Sequence, residues 1–169
     1  PRRIGTDEEG TLLRPPYELI ENEYSILDQT DLVFIDPVST GFSRAVEGEK
    51  PRDFHAFKRD IEYVGDFIRL YCSRYGRWTS PKFLAGESYG TTRAAGLSGY
   101  LQERHGMYLN GIMLISVVLN FQTIRFPIGN ALPYILYLPT MTATAWYHNK
   151  LDAELQASLV DTVNEVRQF

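Results

Sequence analysis

The sequence has one cysteine, three histidines and no run of basic residues, and each scarcity closes off a class of protein. A single thiol, Cys72, cannot form a disulfide within the chain, so the fold does not depend on oxidation. Its neighbours Arg69, Ser73 and Arg74 are those of a helix surface, and no glycine-rich turn presents it as a nucleophile. A net charge of −4 and an isoelectric point near 5.4 argue against nucleic acid or an anionic membrane as the main partner. Arg2-Arg3 is too short to alter that. The long uncharged stretch from Phe126 to Tyr147 contains Pro127, Gly129, Asn130, Pro133 and Pro139, which would break a spanning helix repeatedly. No membrane partner, metal or cofactor is expected. The chain opens at Pro1 without a basic-then-apolar leader or a small-residue cleavage site, and it reads as the interior of something longer.

What is present is ordinary for a globular domain: 169 residues, 44% hydrophobic and 22% charged. Residues 1–30 mix Gly5, Gly10, Pro15 and Pro16 with acidic side chains, which predicts loops and at most a short edge hairpin around Tyr17 to Ile20. Leu32-Val33-Phe34-Ile35 is a continuous apolar run, the mark of a strand buried on both faces. From Asp53, a plausible N-cap, the apolar positions Phe54, Phe57, Ile61, Val64, Phe67, Ile68 and Tyr71 recur at helical spacing, and Gly76 closes the helix. A second strand precedes Gly86, a second helix runs to Gly106, and Gly111 to Leu119 is a third apolar, β-branched run. The alternation predicts an α/β fold, a mostly parallel sheet with helices on both faces, with functional loops at the carboxyl ends of the strands. Asp36, Ser88 and Asn120 fall at such ends. Residues 126–147 are expected to be irregular or broken helix. Residues 152–169 should form an amphipathic helix with Leu155, Leu159, Val163 and Val166 on one side.

The most informative stretch is Gly86-Glu87-Ser88-Tyr89-Gly90, which fits the G-x-S-x-G pattern of a nucleophile elbow. The bare pattern is weak, and a glycine-flanked loop serine would satisfy it. The flanks add weight, because an elbow needs a strand before it and a helix after it. Such a turn strains the serine backbone, so Gly86 and Gly90 are expected to relieve crowding where strand and helix cross. Small residues at Ala94, Ala95 and Gly96, followed by Leu97 and Leu101, would let the helix lie close on a sheet. Ser88 would be the nucleophile, and the Tyr89 backbone N–H at the helix start an oxyanion donor.

A serine hydroxyl needs a base, and the base an orienting carboxylate. In an α/β-hydrolase these follow the serine as acid, then histidine. Here Asp152 and Asp161 follow Ser88, but His105 and His148 both precede them, and His55 lies upstream. His105 at a helix C-terminus has a structural explanation in the helix dipole. His148 lacks an acid in the right order, and Asp36 reads as the cap of the loop after it.

These residues resemble the serine carboxypeptidase family, an α/β-hydrolase family, especially its bacterial branch. The segment from Asn22 to Ser25, followed by Asp31 to Ser43, resembles the family's sequence before the elbow. Gly86 to Gly90 is similar to its nucleophile motif, and Leu109 to Asn120 to the strand after it. The similarity continues through Leu132-Pro133-Tyr134 and Ala145 to His148. The resemblance implies that residues 1–125 are part of the hydrolase core and that 126–169 begin a cap or insertion. It implies release of C-terminal residues from peptides with a free C-terminus, through an acyl-enzyme on Ser88. Glu87 would help to hold the terminal carboxylate, which two carboxyl groups can manage only if one is protonated, hence best in mildly acidic solution. A secreted or periplasmic location is also implied. The family's Asn-Gly-Gly-Pro-Gly stretch would fall before Pro1, and its catalytic Asp and His after Phe169. Ser39 stands where the family usually has glycine, and Ala131 where bacterial relatives usually have aspartate. Alternatives left open by the elbow are an esterase or acyltransferase on the same scaffold, or a binding protein that retains the turn.

Overall fold

Hydrophobic alternation and helical spacing translate into a mixed helix and sheet structure, but with less sheet than expected. The computed structural model describes residues 2–168. The chain divides into two units, Pro1–Pro51 and Arg52–Phe169. The expected junction between residues 125 and 126 falls inside the second unit.

In the first unit, strand β1 (Arg2–Ile4) pairs antiparallel with β2 (Leu19–Glu21), with Arg3 opposite Ile20. The turn that follows β1 is pinned by Asp7, whose Oδ1 accepts from the Glu9 and Thr11 amides at 3.0 and 2.8 Å. The run Leu32 to Ile35 departs from expectation. It forms no strand, and its Phe34 is 89% exposed. A strand of that composition becomes stable only with neighbours on both edges and cover on both faces, and neither sheet among the described residues incorporates it. Just after it, Asp36 caps its loop as predicted: Oδ2 accepts from the Phe42 amide at 3.0 Å. Ser39 in that loop has a positive φ of 74°.

A 3₁₀ turn, Pro51–Phe54, precedes the first long helix, α1 (Phe57–Arg74), which starts later than the Asp53 cap predicts. Its N-cap is Ala56, without a side-chain cap. Ile61, Val64 and Cys72 line its buried side. Strand β3 (Phe83–Glu87) leads through Ser88 into α2 (Tyr89–His105), and β4 (Gly111–Ile115) returns parallel to β3, Phe83 opposite Gly111 and Glu87 opposite Ile115. Helix α2 ends as the sequence predicts. Gly106 has φ +61°, which glycine adopts without steric cost, and the Met107 amide reaches back to the Leu101 carbonyl at 3.0 Å.

Helix α2 packs on both strands and on α1. Ala94, Leu97 and Leu101 are buried at this junction, Leu101 with no exposed surface. Gly96, expected to face the sheet, instead faces α1, where a Cβ would come 2.7 Å from the Phe57 ring. The opposite face of the strand pair is open: Phe83, Met113 and Ile115 are exposed. The parallel pairing is therefore present, but the described sheet is two strands wide and is covered by α2 on one face, not by helices on both.

Beyond β4, a 3₁₀ turn (Phe121–Thr123) is capped by Asn120, whose side chain accepts from the Gln122 amide at 3.0 Å. Residues 132–147 then form one continuous helix, α3 (Leu132–Tyr147), where broken structure was expected. Pro133 sits in the first turn, where no donor is needed, and Pro139 removes only one bond from an otherwise intact ladder. The predicted helix over 152–169 is instead two, α4 (Ala153–Gln156) and α5 (Leu159–Gln168); Phe169 lies outside the described residues. The break frees the Leu155 carbonyl, which takes the buried Thr162 hydroxyl at 2.6 Å, while Gln156 and Trp146 exchange two hydrogen bonds of 2.7 and 2.9 Å. Among the described residues no helix is long and apolar enough to cross a membrane.

Candidate active site around Ser88

The turn at Ser88 is a strained backbone position, and the residues around it explain how it is held. Ser88 has φ 55° and ψ −121°, outside both the helical and the extended regions. A non-glycine residue there costs on the order of 1–3 kcal/mol and persists only where the surroundings over-determine it. Three contacts do so. The Ser88 amide donates to the Ile115 carbonyl at 3.0 Å, continuing the β3–β4 ladder into the turn. The Ser88 carbonyl accepts from the Thr91 amide at 3.0 Å and from the Thr91 hydroxyl at 2.7 Å. That same hydroxyl accepts from the Val118 amide at 2.9 Å, and the Thr92 hydroxyl donates to the Val118 carbonyl. Thr91, fully buried, thus ties the turn to the segment after β4, where Ser116 also has a positive φ of 53°.

The two glycines of the motif are not equivalent. A Cβ on Gly86 would penetrate the Gly90 carbonyl and lie 2.9 Å from the Thr91 amide nitrogen. At Gly90 a Cβ would meet nothing within 4 Å. The steric demand expected of both glycines rests on Gly86 alone.

Ser88 and Glu87 are both exposed, Glu87 at the last position of β3. Tyr89 is the first residue of α2, so its amide has no acceptor in a preceding helical turn and lies at the positive end of the helix. Its side chain turns back toward α1. The Arg93 guanidinium lies 5.2 Å from the centroid of its ring, and the Asp60 carboxylate is near enough to act on its phenol. Arg93 Nε in turn meets both Asp60 oxygens, at 3.1 and 2.9 Å. Burial and the neighbouring Asp60 charge push the Tyr89 phenol above its ordinary value, against the weaker opposing pull of Arg93.

Neither His105 nor His148 is hydrogen-bonded to Ser88. His105, the last residue of α2, sits 3.2 Å from Asp66 and edge-on to Tyr100, forming a histidine–aspartate pair at the wrong end of the helix, about 25 Å from the turn at 1.5 Å per residue. His148 is the C-cap of α3, a helix that packs on α5, and it lines a shallow apolar groove with Tyr137, Met141 and Ala145. No side chain among the described residues hydrogen-bonds the Ser88 hydroxyl, and none of them form a three-ligand His, Cys, Asp or Glu cluster for a metal. Cys72 is a buried helix residue whose thiol is pushed up by burial, the opposite of activation.

Sequence reasoning missed Asp60, Arg93 and the threonine clasp. A signal for the first exists: Asp60 interrupts the apolar stripe Phe57, Ile61, Val64 on the buried side of α1, and a lone carboxylate there demands a partner. A scan against protein-family models and searches of curated proteins and of solved structures each return no match.

Proposed function

We propose that this chain carries the nucleophile of a serine carboxypeptidase-like hydrolase built on an α/β-hydrolase scaffold. The observation that carries the reading is the conformation of Ser88, φ 55° at a strand-to-helix turn, backed by a glycine at 86 whose Cβ would have no room. A loop serine that matched the pattern by chance would need neither. The motif resemblance around it supplies the reaction class.

In this reading Ser88 Oγ attacks the carbonyl of the last peptide bond, and its proton passes to a base. The oxyanion is stabilised by the Tyr89 N–H and by the end of α2. Collapse breaks the C–N bond, the proton goes to the leaving amine, and the C-terminal amino acid departs. Water then hydrolyses the Ser88 ester. Glu87, exposed beside the nucleophile, would in this reading meet the carboxylate of the departing residue. In this reading the base and its acid come from outside residues 2–168; neither His105 nor His148 is hydrogen-bonded to Ser88.

The test is fluorophosphonate labelling, read by intact mass and peptide mapping, on the 169-residue chain and on the full product of its reading frame. Labelling at Ser88 in the longer polypeptide alone is the expected result. Labelling in the short chain would mean that a base is supplied from within. No labelling in either would favour the binding-protein alternative. Turnover of a blocked dipeptide but not of its amide separates a carboxypeptidase from an esterase or acyltransferase.

A further inference from the structure

Asp60 is the most deeply buried carboxylate in the second unit, 2% exposed, yet nothing in the proposed chemistry uses it. Removing a carboxylate from water costs several kcal/mol even after relaxation, so a structural reason for its presence is required. Its partners supply one. Arg93 lies one helical turn after Tyr89 on α2, so the two side chains stack on one face of the helix, guanidinium over ring. Asp60 reaches across from α1 and holds Arg93 through Nε to each carboxylate oxygen, and so holds the guanidinium over the Tyr89 ring. The three side chains close a clamp whose only exposed member is the Tyr89 ring.

The main chain of Tyr89 is the other half of the Ser88–Tyr89 peptide. Fixing the ring fixes the Tyr89 side-chain torsions, and through them the first turn of α2, two residues before the Thr91 clasp. We infer that Asp60 and Arg93 are positioning residues, which hold the Ser88 turn and the Tyr89 N–H in place by immobilising the Tyr89 ring from α1. The inference rests on the nucleophile reading only for the purpose of that N–H; the clamp itself is a statement about rigidity.

The two are tested separately. On the 169-residue chain, backbone ¹⁵N order parameters of Ser88 and Tyr89 should be near 0.85 in the unaltered protein and fall toward about 0.6 in Asp60→Asn and Tyr89→Leu, while Leu101 keeps its value. Arg93→Lys retains the charge and loses the flat guanidinium over the ring, and should give an intermediate value. If Asp60→Asn fails to fold, Tyr89→Leu carries the test, because that ring is half-exposed and its loss leaves the core intact. Unchanged order parameters at 88 and 89 in folded Tyr89→Leu would overturn the inference, as would a fall spread evenly through Leu101. In the longer polypeptide, Asp60→Asn should slow fluorophosphonate labelling of Ser88 by about tenfold or more through the first-order step, not through probe binding. An unaltered protein that resists labelling, with the order-parameter changes still present, would remove the hydrolase reading and leave the clamp standing.

Discussion

Replacing Gly86 and Gly90 one at a time by alanine should separate the two glycines that the motif treats alike. At 86 the added Cβ meets main chain, the Gly90 carbonyl and the Thr91 amide, neither of which can rotate away. Restoring an ordinary separation would move β3 and the start of α2 apart by about 1 Å or more, dragging Thr91 from its bonds to Ser88 and Val118. Overpacking of a rigid contact costs about 1–3 kcal/mol, and with the clasp disturbed as well Gly86→Ala should lie at or beyond about 3 kcal/mol. Gly90→Ala adds its methyl to open space in the first turn of α2, removes backbone freedom from the unfolded chain, and should stabilise by about 0.5 kcal/mol. Urea unfolding followed by tryptophan fluorescence reads the right unit, because both tryptophans, Trp78 and Trp146, lie within Arg52–Phe169. A Gly86→Ala midpoint within about 0.5 kcal/mol of the parent, or equal losses from both substitutions, would refute the crowding described for this turn.

Three further outcomes are expected. Thr91→Val keeps the buried shape but leaves the Val118 amide without its acceptor, and should cost about 1–3 kcal/mol in the same unfolding assay. Because the Tyr89 phenol is raised above its ordinary value near 10, the folded state binds that proton more tightly than the unfolded state. Its contribution to stability is then fully present below about pH 10 and is lost as pH rises through the raised value; unfolding midpoints between about pH 9 and 11 should fall less steeply in Tyr89→Phe than in the parent. Ser39→Gly should stabilise the first unit by about 1 kcal/mol by relieving its positive φ, read as greater resistance of the 36–43 loop to proteolysis.

The local grammar of the molecule was legible in the sequence, and its long-range pairings were not. A strand, a strained serine and a helix that ends at Gly106 are specified by adjacent residues, and they appear where the pattern puts them. The run at Leu32 to Ile35 states what a strand would need but not who pairs with it, and it forms no strand, with Leu32, Val33 and Phe34 exposed. Helix α3 was hidden by its prolines, since counting breakers ignores that Pro133 lies in a first turn and that one missing bond does not end a helix. Asp60 and Arg93 are 33 residues apart on different helices, and no periodicity within either helix announces that they meet.

The parallel pair that frames Ser88 joins residues a constant 28 apart in the chain. For a parallel pairing that is a short loop to close, bridged by a single helix, so its entropic cost is low and the β3–α2–β4 segment is an early candidate to condense during folding. The Ser88–Ile115 bond lies wholly inside it, and the Thr91 clasp reaches just past its end, to Val118. Most of the hydrogen bonds that hold the unusual backbone of the serine therefore come from this one stretch of chain and the few residues after it. A segment of this kind can be carried intact between proteins whose remaining chains differ, keeping the shape of the turn while the chemistry around it is lost or replaced.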